Sequence, residues 1–156
     1  MKKTLYIILL LSLSSCFTEP KKEKEQYKNT IQKTDNKIKL EKKKSLELFK
    51  SSVGKYPSDF KLFENPIFLK RLKKLIGNRY DFLIDYWSIE TPIEFKNEIY
   101  IIKGCEQHNC NWTNFIVTYD LTNNHLSVGI REEKKVKIFS EKKHHSFIID
   151  EWKKEE

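Results

Sequence analysis

The segment Gly104-Cys105-Glu106-Gln107-His108-Asn109-Cys110 holds a histidine between two cysteines five positions apart. Paired cysteines would close a tight ring with the imidazole near its tip. In the chain-entropy model a ring of about six residues contributes roughly 2 kcal/mol, and it limits how far His108 can wander. Cys105, His108 and Cys110 as free ligands would suit zinc, with His125, His144 or His145 as the fourth. That spacing is crowded, and oxidation would remove the thiolates. Redox-active pairs are usually spaced Cys-x-x-Cys, and the Cys-x-x-Cys-His of haem attachment is absent. A disulfide that merely staples a hairpin, with His108 solvated, stands beside these readings. Nucleophilic catalysis needs a base and an orienting group beside the nucleophile. Neither Ser51-Ser52 nor the other hydroxyl residues show that pattern, and His144-His145 read as surface residues. There is no Gly-rich phosphate loop and no acidic metal cluster. The expectation is a protein that is not an enzyme and uses no cofactor or metal.

The N-terminus bears on the redox compartment. Lys2 and Lys3, the apolar run Leu5 to Leu13 and then Ser14-Ser15 form a secretory signal over residues 1–15. The run is shorter than the roughly 20 residues of a membrane span. Leu13-Ser14-Ser15-Cys16 resembles the lipobox of bacterial lipoproteins, which implies cleavage before Cys16 and its acylation, palmitate included. Phe17 in place of Asp implies passage to the outer membrane, on its periplasmic face or at the surface. Lipidation accounts for Cys16 among the three cysteines. Cys105 and Cys110 remain, in an oxidising compartment where disulfides persist.

Residues 16–44 are mostly Lys, Glu, Gln, Thr and Asn. So few apolar residues bury too little surface to offset ordering entropy, so a flexible charged tether is expected, with a root-mean-square reach on the order of 30 Å. The net charge of +8 is concentrated there and in the signal. Residues 16–50 hold 11 lysines and 6 acidic residues, whereas residues 51–156 hold 17 basic and 16 acidic residues. A nearly neutral domain in an exported protein argues against a nucleic-acid partner. The lysines suit anionic lipid headgroups instead.

Residues 45–156 suit one small domain. A turn or two of helix runs through Leu46, Phe49 and Val53. Asn65-Pro66 opens a helix with apolar Phe68, Leu69, Leu72, Leu75 and Ile76 at helical spacing, and Gly77 stops it. Tyr80, Leu83, Ile84 and Trp87 predict a second helix. Short β-rich runs follow at 91–95, 98–103, 114–119, 126–131 and 135–139, and a last helix spans 145–154. Short connections argue for an antiparallel meander. The fold class expected is α+β: a sheet of about five strands with helices packed on one face. The cysteine loop then projects between two strands.

At Cys105-Glu106-Gln107-His108-Asn109-Cys110 the chain resembles the Ivy family, periplasmic inhibitors of vertebrate-type lysozyme, whose hallmark reads Cys-Lys-Pro-His-Asp-Cys. The strand pattern Phe115 to Asp120 and Asn123 to Ile130 is also similar, and the likeness covers roughly Arg71 to Ser140. It implies a Cys105–Cys110 disulfide, an Ivy-like α+β domain, often a homodimer, and a loop that enters the lysozyme cleft so that His108 meets the catalytic carboxylates. Muramidases use an acid Glu and a nucleophilic Asp. An imidazole can donate to both, more strongly when protonated, and their proximity favours the charged form. Glu106, Gln107 and Asn109 depart from the family's Lys, Pro and Asp. Loss of Pro frees the backbone before His108, and Glu106 adds a negative charge that either suits a cationic lysozyme or opposes its acidic cleft. Alternatives keep the plug but direct it at the cell's own lytic transglycosylases or at a rival's muramidase, as an immunity protein. A structural or adhesive envelope lipoprotein is a different class of reading.

Overall fold

The computed structural model describes residues 21–155. The signal segment 1–15 and Cys16 lie outside the described residues. Lys21–Lys50 is a single 30-residue helix, α1, where composition leads to a coiled tether. The physical reason is that no glycine or proline interrupts 21–50 and most residues there are straight-chain helix formers that lose little rotamer freedom. Scarcity of apolar residues argues against burial, not against a helix. Among the described residues no helix is long and apolar enough to cross a membrane. The compact unit that carries the sheet runs from Ile38 to Glu156, so it begins inside the segment assigned to the tether.

Within that unit, α1 ends on Phe49, which is 1% exposed. Its ring stacks on Tyr100 and Tyr119, both at 5.0 Å, and meets Phe68 edge-on at 5.9 Å. After the turn Leu62–Glu64, α2 spans Pro66–Ile76. Asn65 caps it as expected: its Oδ1 accepts from the N–H of Ile67 and of Phe68 at 3.0 and 3.2 Å. Gly77 ends it at φ 56°, a conformation that suits glycine. Phe68, Leu72 and Ile76 form its buried stripe. Helix α3, Arg79–Tyr86, buries Leu83.

Six antiparallel strands follow: β1 (Ile89–Glu90), β2 (Glu94–Lys96), β3 (Ile99–Cys105), β4 (Thr113–Asp120), β5 (His125–Glu132) and β6 (Lys135–Ser140). Their order is β1-β3-β4-β5-β6, with β2 also on β3. The run expected as one strand over 91–95 is therefore two short pieces on the same edge of β3. Pro92 offers no N–H to a ladder, and Ile93 turns inward, with its N–H on the carbonyl of Lys55 at 2.9 Å. The last helix, α4, spans Phe147–Lys154.

The antiparallel α+β architecture is the one expected, with one correction to the layering. Alternate residues of the central strands face opposite ways. Tyr100, Ile102, Phe115, Val117, Leu126, Val128 and Ile130 pack with Phe49, α2 and α3. Ile99, Ile101 and Ile116 pack with Ile148, Ile149 and Trp152 of α4. Helices thus cover both faces, which is why β3, β4 and β5 are buried almost throughout.

The end of the sheet away from the cysteine loop is held by polar contacts. Arg71 of α2 bonds Glu141 through Nε and Nη2 at 3.0 and 2.6 Å and donates to Asn124 Oδ1 at 3.0 Å. Glu141 also accepts the Leu126 N–H at 2.9 Å. Burial pushes the Glu141 carboxyl up, but the bonds from Arg71 and Leu126 prevail and hold it below its ordinary value. His125 is buried there, with Nε2 2.7 Å from Ser140 Oγ and accepting the Lys142 N–H at 3.2 Å. Burial holds this imidazole below its usual range, against the opposing charge of Glu141.

Gly129 lies beneath α4, where a Cβ would stand 2.4 Å from Trp152 Cζ3 and 2.8 Å from Ile116 Cγ2. Gly129→Ala is expected to destabilise the domain by about 1–3 kcal/mol through overpacking, read as a lowered thermal midpoint. Trp152→Leu in the same chain should recover part of that loss, and an unchanged midpoint for Gly129→Ala would refute the close packing.

Candidate functional site

The loop grows from a fixed base. At Gly104, the residue before Cys105, a Cβ would stand 2.2 Å from the Trp87 ring, so the indole lies directly on the β3 backbone. Trp87 also stacks on Phe115 at 5.7 Å, meets Phe63 at 4.9 Å and donates Nε1–H to Glu90 at 3.2 Å. The same Glu90 carboxylate takes the Ser58 hydroxyl and N–H. On the edge of β3, the Ser88 N–H bonds the Cys105 carbonyl at 3.0 Å, and exposed Ile89 pairs with Cys105.

Above that base Cys105 and Cys110 form a disulfide, with their Cα atoms 4.9 Å apart. The bond occupies both sulfurs, so the zinc and free-thiol readings do not apply to this state. The proposed fourth zinc ligands lie elsewhere. His125 is at the far end of the sheet, roughly 23 Å along β4 from Thr113. His145 bonds Asp150 at 2.8 Å near the start of α4, and His144 gives its carbonyl to Ser140.

The tip is a tight turn from Glu106 to Asn109, closed by the Asn109 N–H on the Glu106 carbonyl at 3.0 Å. Gln107 occupies its second position and His108 its third, at φ 62°. That conformation, the one type II turns reserve for glycine or asparagine, carries a non-glycine residue here. Gln107 and His108 are exposed, while Glu106 and Asn109 are half-buried. Among the described residues no hydrogen bond or ion pair holds the His108 ring.

The departures from the family's loop residues have structural consequences. Gln107 fills the turn position that favours proline, yet the backbone is still held. The Glu106 N–H bonds the Thr113 carbonyl at 3.0 Å, and the N–H groups of Trp112 and Thr113 both bond the Asn109 carbonyl at 2.9 Å. Asn109 Nδ2 donates to the Glu106 carboxylate and to Thr113 Oγ. Glu106 and Asn109 thus satisfy each other across the turn, and the carboxylate is engaged inside the loop.

Two residues that spacing did not single out tie the loop to the body. Asn114 Nδ2 donates to the Cys110 carbonyl at 2.7 Å. Arg131 Nε donates to Asn114 Oδ1 at 3.3 Å, and its Nη2 donates to the Trp152 carbonyl at the end of α4 at 2.9 Å. Trp112, 49% exposed, leaves the loop beside Lys134 of the β5–β6 turn. Asn114 and Arg131 oppose each other across β4 and β5, so only the strand register brings them together. Trp112 alone carried a local signal, as an aromatic two residues past the second cysteine.

The family model described as inhibitor of vertebrate lysozyme (Ivy) matches residues 68–155. No curated protein and no solved structure matches the chain. The matched span takes in α2 from Phe68, α3, all six strands, the disulfide loop and α4. The resemblance read at the loop therefore extends over the whole sheet and the helix on its far face, and the chain belongs to the Ivy family of vertebrate lysozyme inhibitors.

Proposed function

We propose that this protein is a lipid-anchored envelope inhibitor that plugs the active-site cleft of a lysozyme-like muramidase with the Cys105–Cys110 loop, His108 making the central contact. One observation carries this reading: the His108 ring stands exposed and, among the described residues, unbonded at the tip of a loop in which Glu106 and Asn109 bond each other. A muramidase presents two carboxylates flanking the scissile bond, about 5–5.5 Å apart in retaining enzymes. Imidazolium has two N–H donors, and charge-assisted bonds to carboxylates are about twice as strong as neutral ones. A loop ordered before binding loses less entropy on docking. Inhibition is then occlusion plus charge-assisted bonding, with no reaction.

His108→Ala in the full chain is expected to raise the half-inhibitory concentration about 30-fold or more, the scale of a buried interface anchor. The measurement is residual lysis of a cell-wall suspension by vertebrate lysozyme. Absence of inhibition by the wild type at large molar excess would remove lysozyme as the target. A silent His108→Ala with full inhibition intact would move the contact elsewhere.

The disulfide has a separable test. Cys105→Ser is expected to weaken inhibition more than it lowers the melting point, since a ring of about six residues contributes only about 2 kcal/mol. Outright unfolding of that variant would make the bond a fold staple instead of a loop constraint.

Anchoring rests on Leu13-Ser14-Ser15-Cys16. An acylated Cys16 holds the inhibitor at the membrane, with the lysines that follow it facing anionic headgroups. Cys16→Ser is expected to shift the protein from the membrane to the soluble envelope fraction and to abolish labelling by radioactive palmitate. Equal fractionation of wild type and variant would refute the anchor.

A further inference from the structure

Trp112 stands in solvent where the other two tryptophans are packed. Its ring is half exposed, whereas Trp152 is buried and Trp87 is packed among Phe63, Phe115 and the β3 backbone. An indole carries one of the largest apolar surfaces of any side chain, joined to a single N–H donor. Its backbone N–H bonds the carbonyl of Asn109, the residue next to His108. The imidazole and the indole are therefore carried by the same closed loop. Lys134 Nζ lies 5.8 Å from the centre of the ring, brought there by the β5–β6 turn, in which Glu133 takes φ 54°. Asn111, Trp112, Arg131, Glu133 and Lys134 line an open hollow of about 360 Å³ beside the loop. In Arg131 the guanidinium is already engaged by Asn114 and the end of α4.

We infer that Trp112 and Lys134 form a second contact with the muramidase, the indole lying in a sugar-binding subsite next to the carboxylates that His108 engages. This inference rests on the plug reading. A cleft that cuts a glycan has sugar subsites on either side of the scissile bond, and each accepts a flat amphipathic ring with an apolar face and polar edges. An indole has that shape and that division of polarity. An ammonium beside it complements the acidic character of such a cleft. Partner surfaces of this kind are anchored by a few aromatic and cationic side chains, tryptophan foremost.

The test uses the full chain and vertebrate lysozyme, with affinity measured by calorimetry for wild type, His108→Ala, Trp112→Ala, Trp112→Phe and Lys134→Gln. Trp112→Ala is expected to weaken binding about tenfold or more, with Trp112→Phe intermediate and melting points unchanged. Lys134→Gln should cost about threefold and reduce the salt dependence of association. With 5-fluorotryptophan incorporated, the Trp112 resonance should shift on adding lysozyme while that of Trp152 stays in place. Affinity within twofold of wild type for both Trp112 variants and Lys134→Gln, with His108→Ala still weak, overturns the second contact and leaves the plug standing. No binding by the wild type overturns both. Trp112-dependent retention on purified peptidoglycan with lysozyme affinity unchanged also overturns it, and assigns the ring to the glycan itself. Were Trp112→Ala to fail to fold, Trp112→Phe, Lys134→Gln and the fluorine shift decide the question.

Discussion

The pairing register of β3 on β4 is the constraint on which the rest of the domain depends. Ile102 opposes Val117, Gly104 opposes Phe115 and Cys105 opposes Asn114. Side chains alternate along a strand, so a slip of one residue exchanges every face. It would turn Tyr100 and Ile102 away from Phe49 and toward α4, and would put a side chain in place of Gly104 under the Trp87 ring. The connection between these strands is the disulfide loop. Its crosslink and the Glu106–Thr113 bond close the hairpin at the end where the register begins. The loop that presents His108 thus grows from the hairpin whose register places each core residue on its side of the sheet.

Much of this fold was legible because it rests on local signals. Asn65, Pro66 and Gly77 bracket α2, and the stripe Phe68, Leu72 and Ile76 faces the core as its spacing predicts. The strands after Glu98 alternate or end at recognisable turns. What escaped depends on contacts distant in sequence. The placing of α4 on the opposite face follows from Gly129 making room for Trp152, and one glycine in a strand does not announce which helix will approach it. The split between β1 and β2 follows from Ile93 bonding back to Lys55. Helix α1 differs in kind, since a composition too polar to support burial still supports a helix.

The site divides in the same way. The cysteines and the histidine are adjacent in sequence, and their types and spacing already defined the loop. Its support is assembled from β4, β5 and α4, through Asn114, Arg131 and the carbonyl of Trp152. None of these residues lies near the others in the chain, apart from Asn114 and Cys110. The exchange of Lys and Asp for Glu106 and Asn109 reads residue by residue as two losses. In three dimensions Glu106 and Asn109 make one interaction, an amide donating to a carboxylate across the turn.

The backbone of His108 adds an argument that the side chain alone does not make. Left-handed φ costs an ordinary residue on the order of 1–2 kcal/mol, and glycine takes it freely. The third position of the Glu106–Asn109 turn would therefore be served better by glycine, as would the positions of Lys61, Glu98 and Glu133, which take a similar φ. Gln107 beside it is equally exposed but sits where most residues are accommodated. Glu106 and Asn109 gain hydrogen bonds from their placement, whereas the imidazole gains none among the described residues. Local preferences that are violated without a local return concentrate at functional sites. Under the proposed plug, the return for His108 comes from the carboxylates of the inhibited enzyme, to which an imidazole held outward by a closed loop can donate.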